Sequence, residues 1–386
     1  MFDRLLRTTS QSSFFLFGAR GTGKTTYIKQ TFDPDTSLYL DLLDPVTEDT
    51  YRRTPQRLEQ EVHALPDGVD WVLVDEVQRV PRLLDIVHRL IETTPKHFVL
   101  TGSSGRKLRR GASNLLAGRA FVYNLFPFTI PELGDAMALD DALSWGTLPR
   151  IYSLLQSDDK AQYLRAYALT YLKEEIVAEQ LVRGLDPFRQ FLEVAAQSNG
   201  LIVNYANIAK DVGVDPKTVV TYFSILEDTL VGFLLPPYHR SVRKQQRVNP
   251  KFYFFDVGVK RALDRTLQMP LEAGTYEYGR LFEQFVITQI FYLANYHYPD
   301  WRLSYLRTGA GAEIDLLIER PGLPTVLIEI KSSSRVDDRD VSNLARFKQD
   351  FDNPLALCIS QDQTRMRIKN VLCVYWRDAL NELALV

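Results

Sequence analysis

The chain has 386 residues, 45% hydrophobic and 24% charged, with a formal net charge of -2. That length predicts two or three domains with ordinary globular cores, and the near-neutral balance excludes a protein-wide basic field, so any nucleic-acid contact has to come from a local patch. Cys358 and Cys373, both in apolar runs, exclude a disulfide framework or a cysteine zinc site, and the dispersed histidines offer no metal-ligand spacing. The N-terminal apolar run FFLF is shorter than the roughly 7–15 residues of a signal-peptide core. No stretch approaches the roughly 18–20 apolar residues of a membrane span. A cytoplasmic protein with no membrane partner is expected.

In chain order, FFLF at 14–17 predicts a buried parallel strand, followed by the Gly-rich run GARGTGKT and a helix through TYIKQTF. SLYLDLL at 37–43, WVLVDEV at 71–77 and HFVLTGSS at 97–104 predict three more strands, with a helix, PRLLDIVHRLIETT, before the last. Strands alternating with helices imply βαβ units and a parallel sheet covered on both faces. From about 105 to 195 the pattern is mostly helical: FVYNLFPFTIPELGD is broken by two prolines, and AQYLRAYALTYLKEEIVAEQLV has helical spacing. Short helices joined by NG and GVDP fill about 189–237. From about 275 a second α/β unit begins with the long helix EYGRLFEQFVITQIFYLANY. The strands RLSYLRT, AEIDLLIER and TVLIEIKS follow, then a helix, DVSNLARFKQD, and the strands PLALCIS and VLCVYW.

Gly18, Gly23, Lys24 and Thr25 satisfy G-x-x-x-x-G-K-[ST] between a strand and a helix, and Gly21 and Thr26 complete the run. Glycines let the backbone N–H groups turn toward a phosphate, and the helix N-terminus adds a favourable dipole. The pattern therefore points to ATP with Mg²⁺: Lys24 facing the β/γ-phosphates and the Thr25 hydroxyl on the metal. WVLVDEVQ ends in Asp75 and Glu76 at the carboxyl edge of the sheet, where ligands of α/β folds sit. Asp75 is the candidate Mg²⁺ holder and Glu76 the candidate base for the attacking water. Thr101, Ser103 and Ser104 end a neighbouring strand, with Ser103 a candidate for sensing the γ-phosphate. Arg119 is a candidate finger into a neighbouring subunit's site, with Arg106, Arg109 and Arg110 as competitors.

In this order, GARGTGKT, LVDEVQ, LTGSS, LLAGR and FPFTIPE resemble the prokaryotic AAA+ ATPases whose C-terminal half is labelled a domain of unknown function. YLKEEI, KFYFFDVGV, GRLFEQFV, EIDLLIE and LIEIKSS resemble the same family, so the likeness spans nearly the whole chain. The resemblance implies an AAA+ fold and a homo-oligomeric ring, with a hexamer among the options.

NYANIAKDVGVDPKTVVTYFSILEDTLVGFLLPPYHR resembles a winged helix-turn-helix: ANIAKDVG, a GVD turn, then PKTVVTYFSILEDTL, with FLLPPY and KFYFFD as wing strands. Between those strands Arg240, Arg243, Lys244, Arg247 and Lys251 form a strip without an acid, a candidate contact to DNA phosphates. Glu227 and Asp228, on the second helix, argue the other way.

In the C-terminal unit Glu329 and Lys331 lie two apart on one strand and share a face, which Asp315 on the adjacent hairpin strand can meet. Two carboxylates would hold Mg²⁺ or Mn²⁺, with Glu283 on the preceding helix as a further ligand and Lys331 favouring hydroxide for attack on a phosphodiester. The order of helix, strand, strand and helix resembles PD-(D/E)XK nucleases, although Ile314-Asp315 replaces the usual Pro-Asp. The expected architecture is α/β in three parts: an AAA+ core over 1–135, a helical lid region and winged helix over 136–270, and a nuclease-like domain over 271–386. The leading reading is an ATP-driven machine acting on DNA. The alternatives are an ATP-dependent switch or scaffold recognising a protein, and a nucleotide-regulated nuclease.

Overall fold

The computed structural model describes residues 2–103, 118–171, 185–239, 248–308 and 311–385. They cluster into two compact units, one built on Asp3–Pro127 with Asp228–Val231, the other on Phe128–Glu227 and Gly232–Val386. The boundary expected near residue 270 falls inside the second unit. Among the described residues no helix is long and apolar enough to cross a membrane.

The first unit is a five-stranded sheet of β1 (Phe14–Phe17), β2 (Ser37–Asp41), β3 (Trp71–Asp75), β4 (His97–Gly102) and β5 (Phe121–Asn124). All pairs are parallel, in the order β2-β3-β4-β1-β5. The apolar runs form strands because both of their faces are covered: every residue of β1 is buried, as are the last four of β3. The helix Leu83–Thr93 buries Leu83, Ile86, Val87 and Leu90, a stripe at helical spacing, into one core with Phe15, Phe17, Val72 and Val74. The sequence pattern misses β5. It has only four residues on the sheet edge, and Phe121 and Val122 stay exposed, so neither alternation nor a buried run marks it. The strand order matters for chemistry: β4 lies between β1 and β3, so the carboxyl ends of all three open side by side.

In the second unit the predicted helix over 161–182 takes a different form. An α-helix, Ser157–Ala166, passes into a π-helical turn, Tyr167–Tyr171, and the remainder lies outside the described residues. The helix Tyr205–Val212 ends on Gly213 at φ 73, a left-handed position that glycine adopts without Cβ strain. The helix Pro216–Asp228 follows, its first turn capped by Asp215, which accepts from the Thr218 N–H at 3.0 Å. An antiparallel ribbon of β6 (Gly232–Leu235) and β7 (Lys251–Phe254) comes next.

The rest is a six-stranded sheet flanked by the helix Tyr276–His297. Its strands are β8 (Arg302–Arg307), β9 (Glu313–Glu319), β10 (Val326–Lys331), β11 (Leu355–Ser360), β12 (Met366–Ile368) and β13 (Val371–Tyr375), in the order β12-β13-β11-β10-β9-β8. β8, β9 and β10 are antiparallel neighbours. β10, β11 and β13 run parallel, and the helix Ser342–Phe347 makes the crossover from β10 to β11. Leu344 and Phe347 of that helix pack with Leu327, Ala356 and Cys358.

Candidate functional site

At the carboxyl edge of the first sheet, the loop from Gly18 to Gly23 curls because two of its glycines take positive φ, 80 at Gly21 and 94 at Gly23. Gly18 is required for a different reason: a Cβ there would stand 2.5 Å from the Leu125 carbonyl oxygen and 2.7 Å from Thr22 Oγ1. Lys24, buried at the start of the helix Lys24–Thr31, donates to the Gly18 and Ala19 carbonyls at 2.8 and 3.4 Å. Its ammonium is thus held inside the loop that would receive the phosphates. Thr26 is exposed on the same first turn.

The Thr25 hydroxyl donates to Asp75 Oδ2 at 2.6 Å. The fully buried Asp75 carboxylate also accepts from Tyr39 at 2.9 Å and from the Thr101 hydroxyl. Burial, and then the Asp75 charge, raise the Tyr39 hydroxyl above its usual range, so it remains a donor. The oxygen set of Thr25 and Asp75 suits a hard cation such as Mg²⁺. Glu76 sits at φ 60, ψ 46, a left-handed position that is uncommon outside glycine and costs about 1–3 kcal/mol. Its N–H donates to Thr101 Oγ1 at 3.0 Å, and its carboxylate accepts from the Gln78 amide. The same amide lies 3.4 Å from Ser103 Oγ. Strand order therefore gathers Lys24, Thr25, Asp75, Glu76, Thr101 and Ser103 at one edge.

A second charged cluster lies in the other unit. Glu283, on the helix Tyr276–His297, accepts from Tyr253 at 2.6 Å and from Lys251 at 3.4 Å. Lys251 also meets Glu313 at 2.5 Å. Asp315 Oδ2 accepts the Ile330 N–H at 2.7 Å, and Glu329 Oε1 accepts from Lys331 at 2.7 Å. Asp315 stands at a β-bulge, where Asp315 and Leu316 face the single residue Tyr305 of β8. Burial, then Glu283 and Glu329, push the Asp315 carboxyl well up. Burial likewise raises Glu329, with Lys331 opposing. Burial alone would lower Lys251; Glu283, Asp315 and Glu313 outweigh it and hold the ammonium charged. Glu329 Oε2 is buried without a hydrogen-bond partner. Among the described residues no three acids or histidines converge as a formed metal site.

Residues 10–134 match the family described as an AAA domain. Residues 137–270 and 278–378 match two families described as domains of unknown function, DUF8612 and DUF4143. An uncharacterized protein of Mycobacterium tuberculosis is 29% identical over 322 residues, 83% of this chain and 70% of that protein, and one of Mycobacterium bovis gives the same figures. One of Methanocaldococcus jannaschii is 22% identical over 391 residues, 90% of this chain and 81% of that protein. Among solved structures, Aeropyrum pernix ORC1 in complex with DNA is 14% identical with a TM-score of 0.31, over 67% of this chain and 88% of that one. Domain III of the Thermotoga maritima replication initiation protein DnaA is 16% identical with a TM-score of 0.25, over 56% and 85%. Overlaps this low decide nothing about the chain.

Within the AAA-matching unit, Arg119 lies apart from the phosphate loop. It precedes β5, whose first residue Phe121 pairs with Phe14 at the amino end of β1, and it forms an ion pair with Glu92 at 2.5 Å. A strand of four residues separates that edge from the loop by roughly 13 Å. Ser104, Arg106, Arg109, Arg110, Arg240, Arg243, Lys244 and Arg247 lie outside the described residues. Sequence reasoning missed Arg4, which donates to the Thr22 carbonyl of the loop at 2.8 Å and to Phe126 at 2.5 Å, and also Tyr39 and Gln78. It missed Lys251 as a partner of the acids, having assigned that lysine to the basic strip.

Proposed function

We propose that the chain is an AAA+ ATPase that binds ATP through residues 18–26 and hydrolyses it with Asp75 and Glu76, working as an oligomeric machine on DNA. The single observation that carries the reading is the convergence of Lys24, Thr25, Asp75, Glu76, Thr101 and Ser103 at the carboxyl edge of one parallel sheet. Lys24 would meet the β/γ-phosphates, and Thr25 and Asp75 would hold Mg²⁺, whose chemistry when bound is charge neutralisation along the phosphates. Tyr39 and Thr101 orient Asp75. Glu76 takes the proton of the attacking water, and Ser103 contacts the γ-phosphate. Lys24→Ala removes the cation inside the loop while leaving the glycine geometry. It should abolish tight binding of a fluorescent ATP analogue in an equilibrium titration; wild-type affinity would move the nucleotide away from this loop.

The DNA part of the proposal rests on the helix–turn–helix and its ribbon. On the helix Pro216–Asp228 the residues open to solvent are Pro216, Lys217, Val220 and Thr221, none of them acidic, while Glu227 and Asp228 are half-buried. Glu227 turns inward and accepts the Leu234 N–H of β6 at 3.1 Å, so this acid serves the ribbon instead of opposing a phosphate. Changing Lys217, Arg240, Arg243, Lys244 and Arg247 to Ala should weaken binding to every DNA sequence alike. The salt dependence should flatten by roughly one unit of slope per lost contact, read by fluorescence anisotropy across a salt series. An unaltered slope would assign the DNA surface to another face.

A second reading concerns the acids of the C-terminal sheet. The buried, unpartnered Oε2 of Glu329, together with Asp315 and Glu283, supports a PD-(D/E)XK-like site for Mg²⁺ or Mn²⁺, with Lys331 beside it. The three carboxylates are hard oxygen donors, as such ions require. A bound divalent ion would supply activation of water for phosphodiester attack. A domain that binds DNA or a protein without cutting uses the same surface and is the alternative.

A further inference from the structure

The carboxyl cluster holds more acidic side chains than it has cationic partners. Four carboxylates, Glu283, Glu313, Asp315 and Glu329, share two ammonium groups, Lys251 and Lys331, while Arg307 stands 3.8 Å from Glu313. The Glu329 side chain is only 8% exposed, and its Oε2 points at no donor. A buried oxygen of this kind is normally satisfied, so the cluster keeps one acceptor open to a further partner.

The two lysines differ in origin. Lys331 follows its partner on the same strand. Lys251 reaches the acids from the first residue of β7, on the ribbon that follows the helix–turn–helix, where it pairs across to Leu235. Its side chain is 5% exposed, with Nζ at 2.5 Å from Glu313 and 3.4 Å from Glu283. Tyr253, two residues along and on the same face of the strand, donates to the same Glu283 oxygen at 2.6 Å. One edge of the ribbon therefore takes Glu283 with two donors. Glu283 is thus engaged by the ribbon, and the acids do not converge on one point among the described residues, although Asp315 and Glu329 each feel the Glu283 charge.

We propose that Lys251 is the resident counter-ion of this cluster, competing with a divalent cation for Glu283 and so setting how tightly that cation binds. The proposal rests on the metal reading of Glu283, Asp315 and Glu329. An ammonium and a divalent ion demand the same carboxylate oxygens. The divalent ion carries twice the charge and can also use the vacant Glu329 Oε2, but it gains Glu283 only when Lys251 withdraws. Because Lys251 belongs to the ribbon, a ligand that shifts the ribbon changes cation affinity, and the cation changes that ligand's affinity by the same factor.

Mn²⁺ binding to the full, nucleotide-free chain tests this, followed by calorimetry and by the electron paramagnetic resonance of free Mn²⁺. The relevant component is the one lost in Asp315→Asn. Lys251→Met keeps the aliphatic stem, removes the competing charge and should tighten that component about tenfold or more. Structural damage would loosen it instead. Glu313→Gln is the companion variant: the ammonium then turns wholly to Glu283, and Mn²⁺ should bind severalfold more weakly. If wild type binds Mn²⁺ and Lys251→Met binds it equally or less tightly, the counter-ion role is overturned and the metal reading stands. If Lys251→Met does not fold, unchanged affinity in Glu313→Gln overturns the role. If neither wild type nor Lys251→Met takes up Mn²⁺ in an Asp315-dependent manner, both readings fall.

Discussion

Glu76→Gln should bind ATP as the wild type does and hydrolyse it roughly 10²-fold or more slowly, because the change removes the proton acceptor and nothing else. The local geometry favours a clean outcome. The bond from residue 76 to Thr101 uses the backbone N–H, which the substitution leaves in place. The Gln78 amide can still donate to the carbonyl oxygen of the new side chain, as it does to the carboxylate now. Asp75, Tyr39 and Thr25 are untouched, so the oxygen set for Mg²⁺ persists. Single-turnover hydrolysis measured beside equilibrium nucleotide binding separates the two effects. Normal turnover in Glu76→Gln would pass the role of base to another group, and loss of binding would mean that the left-handed turn at residue 76 had been disturbed.

What was legible in the sequence was the local geometry that a short segment must carry alone. A phosphate loop needs glycines at positive φ and a cation at fixed intervals, so Gly21, Gly23 and Lys24 announce themselves within a few residues. Strands covered on both faces read as apolar runs, and FFLF and WVLVD are such runs. Residues that act through tertiary neighbours left no mark. Tyr39 is an ordinary strand tyrosine until β2 lies beside β3, in register with Asp41 against Asp75. Arg4 is an arginine ahead of the first strand until the chain brings it to Thr22. Lys251 looked like part of a basic strip because it follows Arg247 by four residues, yet its position at the start of β7 turns it into the acids. The bulge at Asp315 is equally silent, since an inserted residue shows only against its partner strand. Asp315, Glu329 and Lys331 were nevertheless found together, because alternation along β10 and hairpin pairing with β9 are local rules.

Arg119→Ala should lower ATP turnover by roughly 10³-fold or more if the residue acts as a finger on a neighbouring subunit's nucleotide, the range over which such arginines act. The fold limits which site such a residue would reach. Arg119 sits ahead of β5, at the amino edge of the sheet, with its guanidinium on Glu92, while Lys24 follows the opposite edge. Within one chain the two edges are a strand length apart, so a catalytic Arg119 has to serve a site other than its own. For that role, a head-to-tail ring would have to set the amino edge of one subunit against the Gly-rich loop of the next. The Glu92 carboxylate, 2.5 Å away, would hold the guanidinium in one orientation between encounters. The mixing experiment decides the matter. Arg119→Ala protein retains Glu76, and Glu76→Gln protein retains Arg119. In an equal mixture assembling at random, about a quarter of the interfaces pair an intact Glu76 with an intact arginine from the neighbour, so about a quarter of wild-type turnover should return. Specific activity of the wild type should also rise with protein concentration as rings form. No recovery on mixing, with specific activity flat across a dilution series in which the chain is monomeric by sedimentation, would confine hydrolysis to a single subunit and leave Arg119 as the partner of Glu92 alone.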